Sequence, residues 1–246
     1  MKEKENFIVL DVETANTTED ALTYDIGFIV ADRHGNIYEK YSFCVYDIFE
    51  CEKELMQSAY YAKKIPLYYI GLKNHEYKMA QFNTIRKIIA ELIDKYNITK
   101  VFAYNCSFDR KALTTTQRYL TKSKYRWFFP YGIEFHDIWN FACSTICQQK
   151  GYRDFCELNG YICNNGKNYR SSAECVYQYI TNQDTFEELH QGLADVFIEY
   201  DILLKCYATH QKVETNVNRA CWRKVKRVYR GNPLHLLPLG FSALMY

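Results

Sequence analysis

Four apolar residues, Phe7 to Leu10, run without interruption into Asp11, and Glu13 follows two positions later. An apolar run of this length reads as a buried strand, and a buried strand that ends in acid must open onto a polar edge. Side chains along a strand alternate between faces, so Asp11 and Glu13 lie side by side on one of them. Two carboxylates so placed repel each other unless a proton or a cation sits between them. Hard divalent ions are the cations that take carboxylate oxygens. A strand end that turns into a solvated loop explains the same pattern, so the rest of the chain has to decide.

The pattern downstream narrows the fold. Strands are expected at Tyr24 to Ala31 and Ile37 to Tyr46, joined by the turn "DRHGN" around Gly35. Residues 50–78 show no clear period. Gln81 to Tyr96 has helical spacing through Phe82, Ile85, Ile89 and Leu92. A strand follows in "KVFAYN", then a helix from Ser107 to about Thr121. A strand in "GIEFHD" leads into a helix over Asp137 to Gln148. Two more helices are expected over Ser171 to Ile180 and about Gln191 to Ala208. A meander followed by alternating strands and helices predicts an α/β fold: a mixed central sheet of about five strands, antiparallel then parallel, flanked by helices. With 48% apolar and 24% charged residues, the chain has the composition of a soluble protein with a sizeable core.

Two further acids and one histidine bear on the first pair. Asp109, in "VFAYNCSFDRKAL", falls in the first turn of a helix that follows a buried strand. Taken alone it is an acid favoured by the helix dipole. It is also a carboxylate at the carboxyl edge of a central strand, where open α/β sheets place their sites. In "FEELHQGLADVFIEYDILL", Asp195 borders an apolar helical stripe and His190 precedes it by five residues. A lone histidine there reads as a surface or satisfied core residue. Beside a carboxylate cluster, it accepts a proton from water near neutral pH.

"DVET", "YNCSFD" and "HQGLAD" together resemble the three motifs of the DEDDh branch of the DEDD 3′–5′ exonucleases, over about Phe7 to Tyr207. That superfamily, RNase H-like in fold, includes bacterial proofreading subunits such as that of DNA polymerase III, RNase T and oligoribonuclease. The resemblance implies that Asp11, Glu13, Asp109 and Asp195 are metal ligands and that His190 is the catalytic base. Gln191 stands where the sister branch carries tyrosine. Gly192 and Val196 depart from the alanines common in the family, and glycine there is expected to loosen the helix start.

The implied chemistry uses two divalent cations, Mg²⁺ or Mn²⁺, that clamp the attacking and leaving oxygens of a phosphodiester. Asp11 is the expected bridge, Glu13 and Asp195 complete one shell, and Asp109 acts on the second ion through water. Nucleoside 5′-monophosphates would leave from a single-stranded or frayed 3′ end. By resemblance, Thr14, Ala15, Asn16, Asn105 and Phe108 surround the terminal nucleotide, although Phe108 reads equally as core. Asp137, in "FHDIW", is expected to cap a helix rather than to ligate a metal.

The expected domain spans 1–210, and 211–246 form a basic extension. From Lys212 to Arg230, seven Lys or Arg accompany a single acid, Glu214. As a docked helix this segment would place Val217, Cys221, Val225 and Val228 on one side and basic residues on the other. Arg219, Arg223, Lys226, Arg227 and Arg230 are then candidates for holding nucleic-acid backbone, against the alternative of a solvated charged face. An apolar tail follows. The net charge of +2 says little about partners. A polymerase or other replication or repair partner and a homodimer fit the resemblance. No secretory leader or membrane span is expected, so a cytoplasmic protein with ten reduced cysteines is. Two readings compete with the nuclease: a non-catalytic nucleic-acid-binding or polymerase-tethering module on the same fold, and a cysteine-rich metal protein, which the absence of any CxxC pair disfavours.

Overall fold

The computed structural model describes residues 5–183 and 185–228. Its centre is a six-stranded mixed sheet in the order β4-β3-β2-β1-β5-β6. β1 (Asn6–Ala15), β2 (Leu22–Asp32) and β3 (Ile37–Val45) form the expected meander, with both pairings antiparallel. Three helices, α1 (Tyr46–Phe49), α2 (Lys53–Met56) and α3 (Ile65–Lys73), then lead to β4 (Lys78–Ala80), which lies parallel to β3. After α4 (Phe82–Tyr96), β5 (Lys100–Ala103) adds parallel to β1. After α5 (Cys106–Thr121), β6 (Glu134–Asp137) adds parallel to β5. The chain closes through α6 (Ile138–Ser144), α7 (Lys150–Leu158), α8 (Ala173–Thr181) and α9 (Gly192–Ala208). Among the described residues no helix is long and apolar enough to cross a membrane.

Strand alternation divides the core into two layers. Ile8, Leu10 and Val12 point to one face, where they meet Ile85 and Ile89 of α4 and Leu113 of α5. Phe7 and Val9 point to the other, against α6 and α9. Asp11 and Glu13 continue that second, odd-numbered face, as the period of two requires. β2 is buried over its whole length, because it has a strand on each side and helices above and below.

The expected fold class is present with one strand more, since the three-residue β4 sits at the end of the stretch that showed no period. That stretch contains the four-residue α2, a 3-10 turn at Ala62–Lys64 and the nine-residue α3, all too short to establish periodicity. The helix expected over Asp137 to Gln148 breaks at Thr145 and resumes as a 3-10 turn at Ile146–Gln148. Ser144 and Thr145 hydroxyls donate back to the Asn140 and Phe141 carbonyls there, a local alternative to helix hydrogen bonding.

The basic helix expected over 212–230 is also replaced. Among the described residues of that stretch the only helical element is a 3-10 turn at Cys221–Lys224. Residues 214–216 instead join the open side of β6: the Asp137 N–H donates to the Thr215 carbonyl at 2.7 Å, and Asn216 bridges to His136. The unpaired backbone of an edge strand favours extended chain beside it, whatever helical pattern the sequence carries. Cys221 and Val225 are buried, and Arg227 forks onto buried Glu157. Arg230 and the apolar tail lie outside the described residues.

The closest packing in the sheet is at Gly27, where β2 passes under the start of α9. A Cβ built there would sit 2.0 Å from the Leu193 nitrogen and 2.1 Å from the Gly192 carbonyl carbon. Both are backbone atoms that cannot rotate away. Gly27→Ala is therefore expected to cost about 3 kcal/mol or more of unfolding free energy, the upper end for overpacking. Denaturant titration measures it, and a cost below about 1 kcal/mol would mean that the contact is looser than described.

Candidate active site

Three separate elements bring acids to one cleft. Its walls are formed by Asp11 and Glu13 of β1, Asn105, Phe108 and Asp109 at the start of α5, His190 before α9, and Asp195 and Glu199 within it. All five expected catalytic residues thus meet, from positions as far apart as Asp11 and Asp195. Ligand atoms of Glu13, His190 and Asp195 lie within 4.8 Å of one another.

Each side chain is held by local structure. A β-bulge between Glu13 and Thr14 interrupts the pairing of β1 with β2 at the point where the strand carries its acids. Asn105 takes a left-handed conformation, φ 63°, which turns the chain from β5 into α5. Its N–H donates to Asp137 Oδ1, which also caps α6 by accepting from Trp139 N at 3.0 Å and Asn140 N at 3.4 Å. Asp137 is therefore the expected cap, and it also fixes the Asn105 turn. Asp109 is buried and accepts from the Val12 N–H, which ties α5 to β1. Asp195 Oδ2 accepts from the Gln191 N–H at 3.0 Å and closes the first turn of α9.

Asp25, a neighbour that the sequence did not single out, anchors that turn. Its Oδ2 accepts from the Gly192 N–H at 2.9 Å and from the Tyr68 hydroxyl at 2.8 Å. A Cβ at Gly192 would come within 2.6 Å of the Gly27 nitrogen. Gly192 thus tightens the helix start rather than loosening it: the absent side chain lets α9 seat on β2.

His190 is also in a left-handed conformation, φ 49°. Its ring stacks on Tyr61, with centroids 4.0 Å apart and planes at 11°, and its Nδ1 is 3.8 Å from Glu188. Lys64 donates to the Leu189 carbonyl and secures the same loop. Tyr61 and Lys64 come from the aperiodic stretch before α3, so no sequence signal marked them. Glu199 had one: it lies one helical turn after Asp195, on the same side of α9. It accepts from the Tyr104 N–H at 3.2 Å.

The electrostatics follow from burial and like charge. Burial pushes Asp11 well above the ordinary carboxylate range, and Glu199, Asp109, Glu13 and Asp195 reinforce the shift. Burial, then Asp25 and Asp195, raise Glu13 to about 9. Burial raises Asp109 to about 8 and Asp195 to about 7. His190 shifts the other way: burial and then Lys64 lower it, which favours the neutral imidazole. Asp109 Oδ2, Asp195 Oδ1 and Asp25 Oδ1 are buried with no hydrogen-bond partner. Buried carboxylate oxygens without donors are the kind of ligand that divalent cations take.

The other expected contacts divide. Asn105 and Phe108 line the cleft, and Phe108 also packs on the core. Ala15 is fully buried, while Thr14 and Asn16 do not line the cleft. Asn16 turns to a separate hollow beside Glu52 and Tyr119. Arg219 lies next to Ser107 of α5 and hydrogen-bonds to it, whereas Arg227 is committed to Glu157. Arg223 stacks over the Trp222 ring, and Lys226 is exposed.

No family model and no curated protein matches the chain. Similar solved structures include E. coli exonuclease I in complex with a dA16 oligonucleotide, at 14% identity and TM-score 0.48, covering 84% of this chain and 41% of that one. A zinc-bound form of the E. coli exonuclease I–ssDNA complex matches at 14% identity and TM-score 0.43, covering 85% of this chain and 41% of that one. A product-bound structure of exonuclease I matches at 15% identity and TM-score 0.45, with 84% and 44% covered. The chain therefore spans less than half the length of these proteins.

A cluster of raised carboxylates has a signed effect on stability. The folded state keeps protons that the unfolded chain loses near pH 4. The associated stability is full below that pH and is lost as pH rises through the folded values of about 7 to 9 at Asp195, Asp109 and Glu13. In chelator, the melting temperature is expected to fall from about pH 5 to pH 9. Saturating Mn²⁺ is expected to flatten that fall and to raise the midpoint at pH 8 by roughly 5 °C. A profile identical with and without Mn²⁺ would contradict a cation site.

Proposed function

We propose that this cleft is the active site of a metal-dependent 3′–5′ exonuclease that releases nucleoside 5′-monophosphates from single-stranded or frayed ends. The observation that carries the reading is the convergence of Asp11, Glu13, Asp109 and Asp195, with unpartnered buried oxygens on Asp109 and Asp195, beside a neutral imidazole. Asp11, Glu13, Asp109 and Asp195 would hold two divalent cations, Mg²⁺ or Mn²⁺. When bound, these supply positive charge to a phosphodiester and acidify water.

His190 takes the proton from the attacking water. Its pKa suits the role, because a base must be unprotonated at working pH. Stacking on Tyr61 fixes the plane of the ring, and Glu188 beside Nδ1 stabilises the imidazolium that proton transfer creates. Asn105 and Phe108 border the space where the terminal nucleotide lies. Glu199 ties the end of β5 to α9 through the Tyr104 N–H and keeps Asp109 and Asp195 at a constant separation.

The test uses single strands labelled at either end, with Mg²⁺ or Mn²⁺. Mononucleotides are expected from the 3′ label first, and Asp11→Ala is expected to lower the rate at least about 10³-fold. His190→Gln is expected to cost about 10²- to 10⁴-fold while leaving Mn²⁺ binding in place. The acid limb of the wild-type rate profile is expected below pH 6.5, since the shift at His190 is downward. Strand binding without hydrolysis, or a loss of less than about tenfold on Asp11→Ala, would overturn the proposal in favour of a binding module.

A further inference from the structure

A second surface runs along α5, the helix whose first turn lines the cleft. Ser107, Arg110, Lys111 and Arg118 recur at helical spacing along one side of α5, and with Arg219 and Trp127 they line a groove. Ser107 sits in the first turn of α5, whose Phe108 and Asp109 line the cleft, so cleft and groove lie at the same end of that helix, on different sides of it, and the groove runs toward its carboxyl end. Ser107 to Arg118 covers about 16 Å of helix, the length of about five stacked nucleotides.

Four of its lining residues are cations, and no acid lines it. Among the described residues none of the four forms an ion pair. Arg118 lies over the Trp127 ring at 4.8 Å and Arg110 over the Phe135 ring at 4.5 Å. Lys111 reaches only the Thr18 carbonyl, at 3.4 Å, and Arg219 only the Ser107 hydroxyl. On a chain with net charge +2, this concentration of cations without counter-charges marks a local polyanion site. Trp127 is 56% exposed, and Tyr125 and Tyr131 of the same loop are more exposed still. Exposed aromatic faces among unpaired cations are the two components of a single-strand binding track: phosphates are held by charge, bases by stacking.

We propose that the α5 groove carries the 5′-ward continuation of the strand whose 3′ end occupies the cleft. Which end lies in the cleft rests on the proposed exonuclease reading; the binding itself does not. Arg110, Lys111, Arg118 and Arg219 contact successive phosphates, and Trp127 offers a stacking platform at the far end. The contacts are to backbone and to base faces, so the track tolerates any sequence.

The test measures binding by fluorescence anisotropy in chelator, where no hydrolysis occurs, with long single-stranded DNA and RNA over a series of salt concentrations. Replacing Arg110 and Arg118 together by Ala is expected to reduce the slope of log K against log salt by about 1.4, since each single-strand phosphate contact contributes about 0.7. Trp127→Ala is expected to weaken binding about tenfold with the slope unchanged. Arg118→Lys keeps the charge and should keep the slope, which separates charge loss from misfolding. The DNA and RNA arms show which polymer the track holds more tightly. Unchanged slope and affinity in the Ala variants, or a lost slope in Arg118→Lys, would overturn the track. Intact slope effects without hydrolysis when metal is restored would overturn the exonuclease reading alone, and hydrolysis with unchanged slopes would overturn the track alone.

Discussion

Everything near the cleft depends on carboxyl groups held close together and largely out of water, with Asp109 and Asp195 each keeping one oxygen without a donor. Burial first, and then neighbouring acids, raise the proton affinity of Asp11, Glu13 and Glu199. A fold that brings such groups together without cations loses stability as they ionise, because burial and mutual repulsion both oppose charge. Three independent segments bring these acids to one place, which makes accidental clustering a poor explanation. Whatever the arrangement serves, the scaffold has to withstand it.

The scaffold does so through packing at the junction of β2 and α9. Gly27 and Gly192 face each other with no side chain between them, and the buried Asp25 carboxylate holds the Gly192 N–H. Burial raises Asp25 to about 6, while the Gly192 and Tyr68 hydrogen bonds oppose that rise. The same junction sets the height of α9 on the sheet and so the distance of Asp195 and His190 from Asp11 and Glu13. Neighbouring structure supports it: Tyr68 arrives from α3, and the Tyr24, Phe49 and Tyr68 rings pack together in the layer beneath. Such buried ring packing accounts for part of the high aromatic content, 23 Tyr and 15 Phe; other rings, Tyr60 and those of the loop after α5 among them, are exposed.

Legibility in the sequence followed the length of each pattern. α4, α5 and α9 repeat their apolar spacing over four turns or more, and their expected bounds agree with the structure to within a residue or so at most ends. The face shared by Asp11 and Glu13 followed from strand period alone. α1, α2, α3, α7 and β4 were not foreseen, since elements of three to nine residues give periodicity little to act on. The basic stretch after His210 failed for a different reason. Its apolar spacing suits a helix, but the open edge of β6 and the pocket for Cys221 and Val225 outweigh that local preference.

What the sequence by itself determined was the order of elements, the side on which each acid lies along its own strand or helix, and the motifs that resemble an exonuclease. These are local properties, set by period and by residue type. Tertiary structure alone decided that the three motifs meet in one cleft, and it added Asp25, Glu188, Glu199, Tyr61 and Lys64 to its surroundings. It also decided that Gly192 is a packing contact and that Arg227 is an ion-pair partner. The physical reason is that burial, mutual repulsion and close backbone approach depend on distance in space, which a linear chain does not record until it has folded.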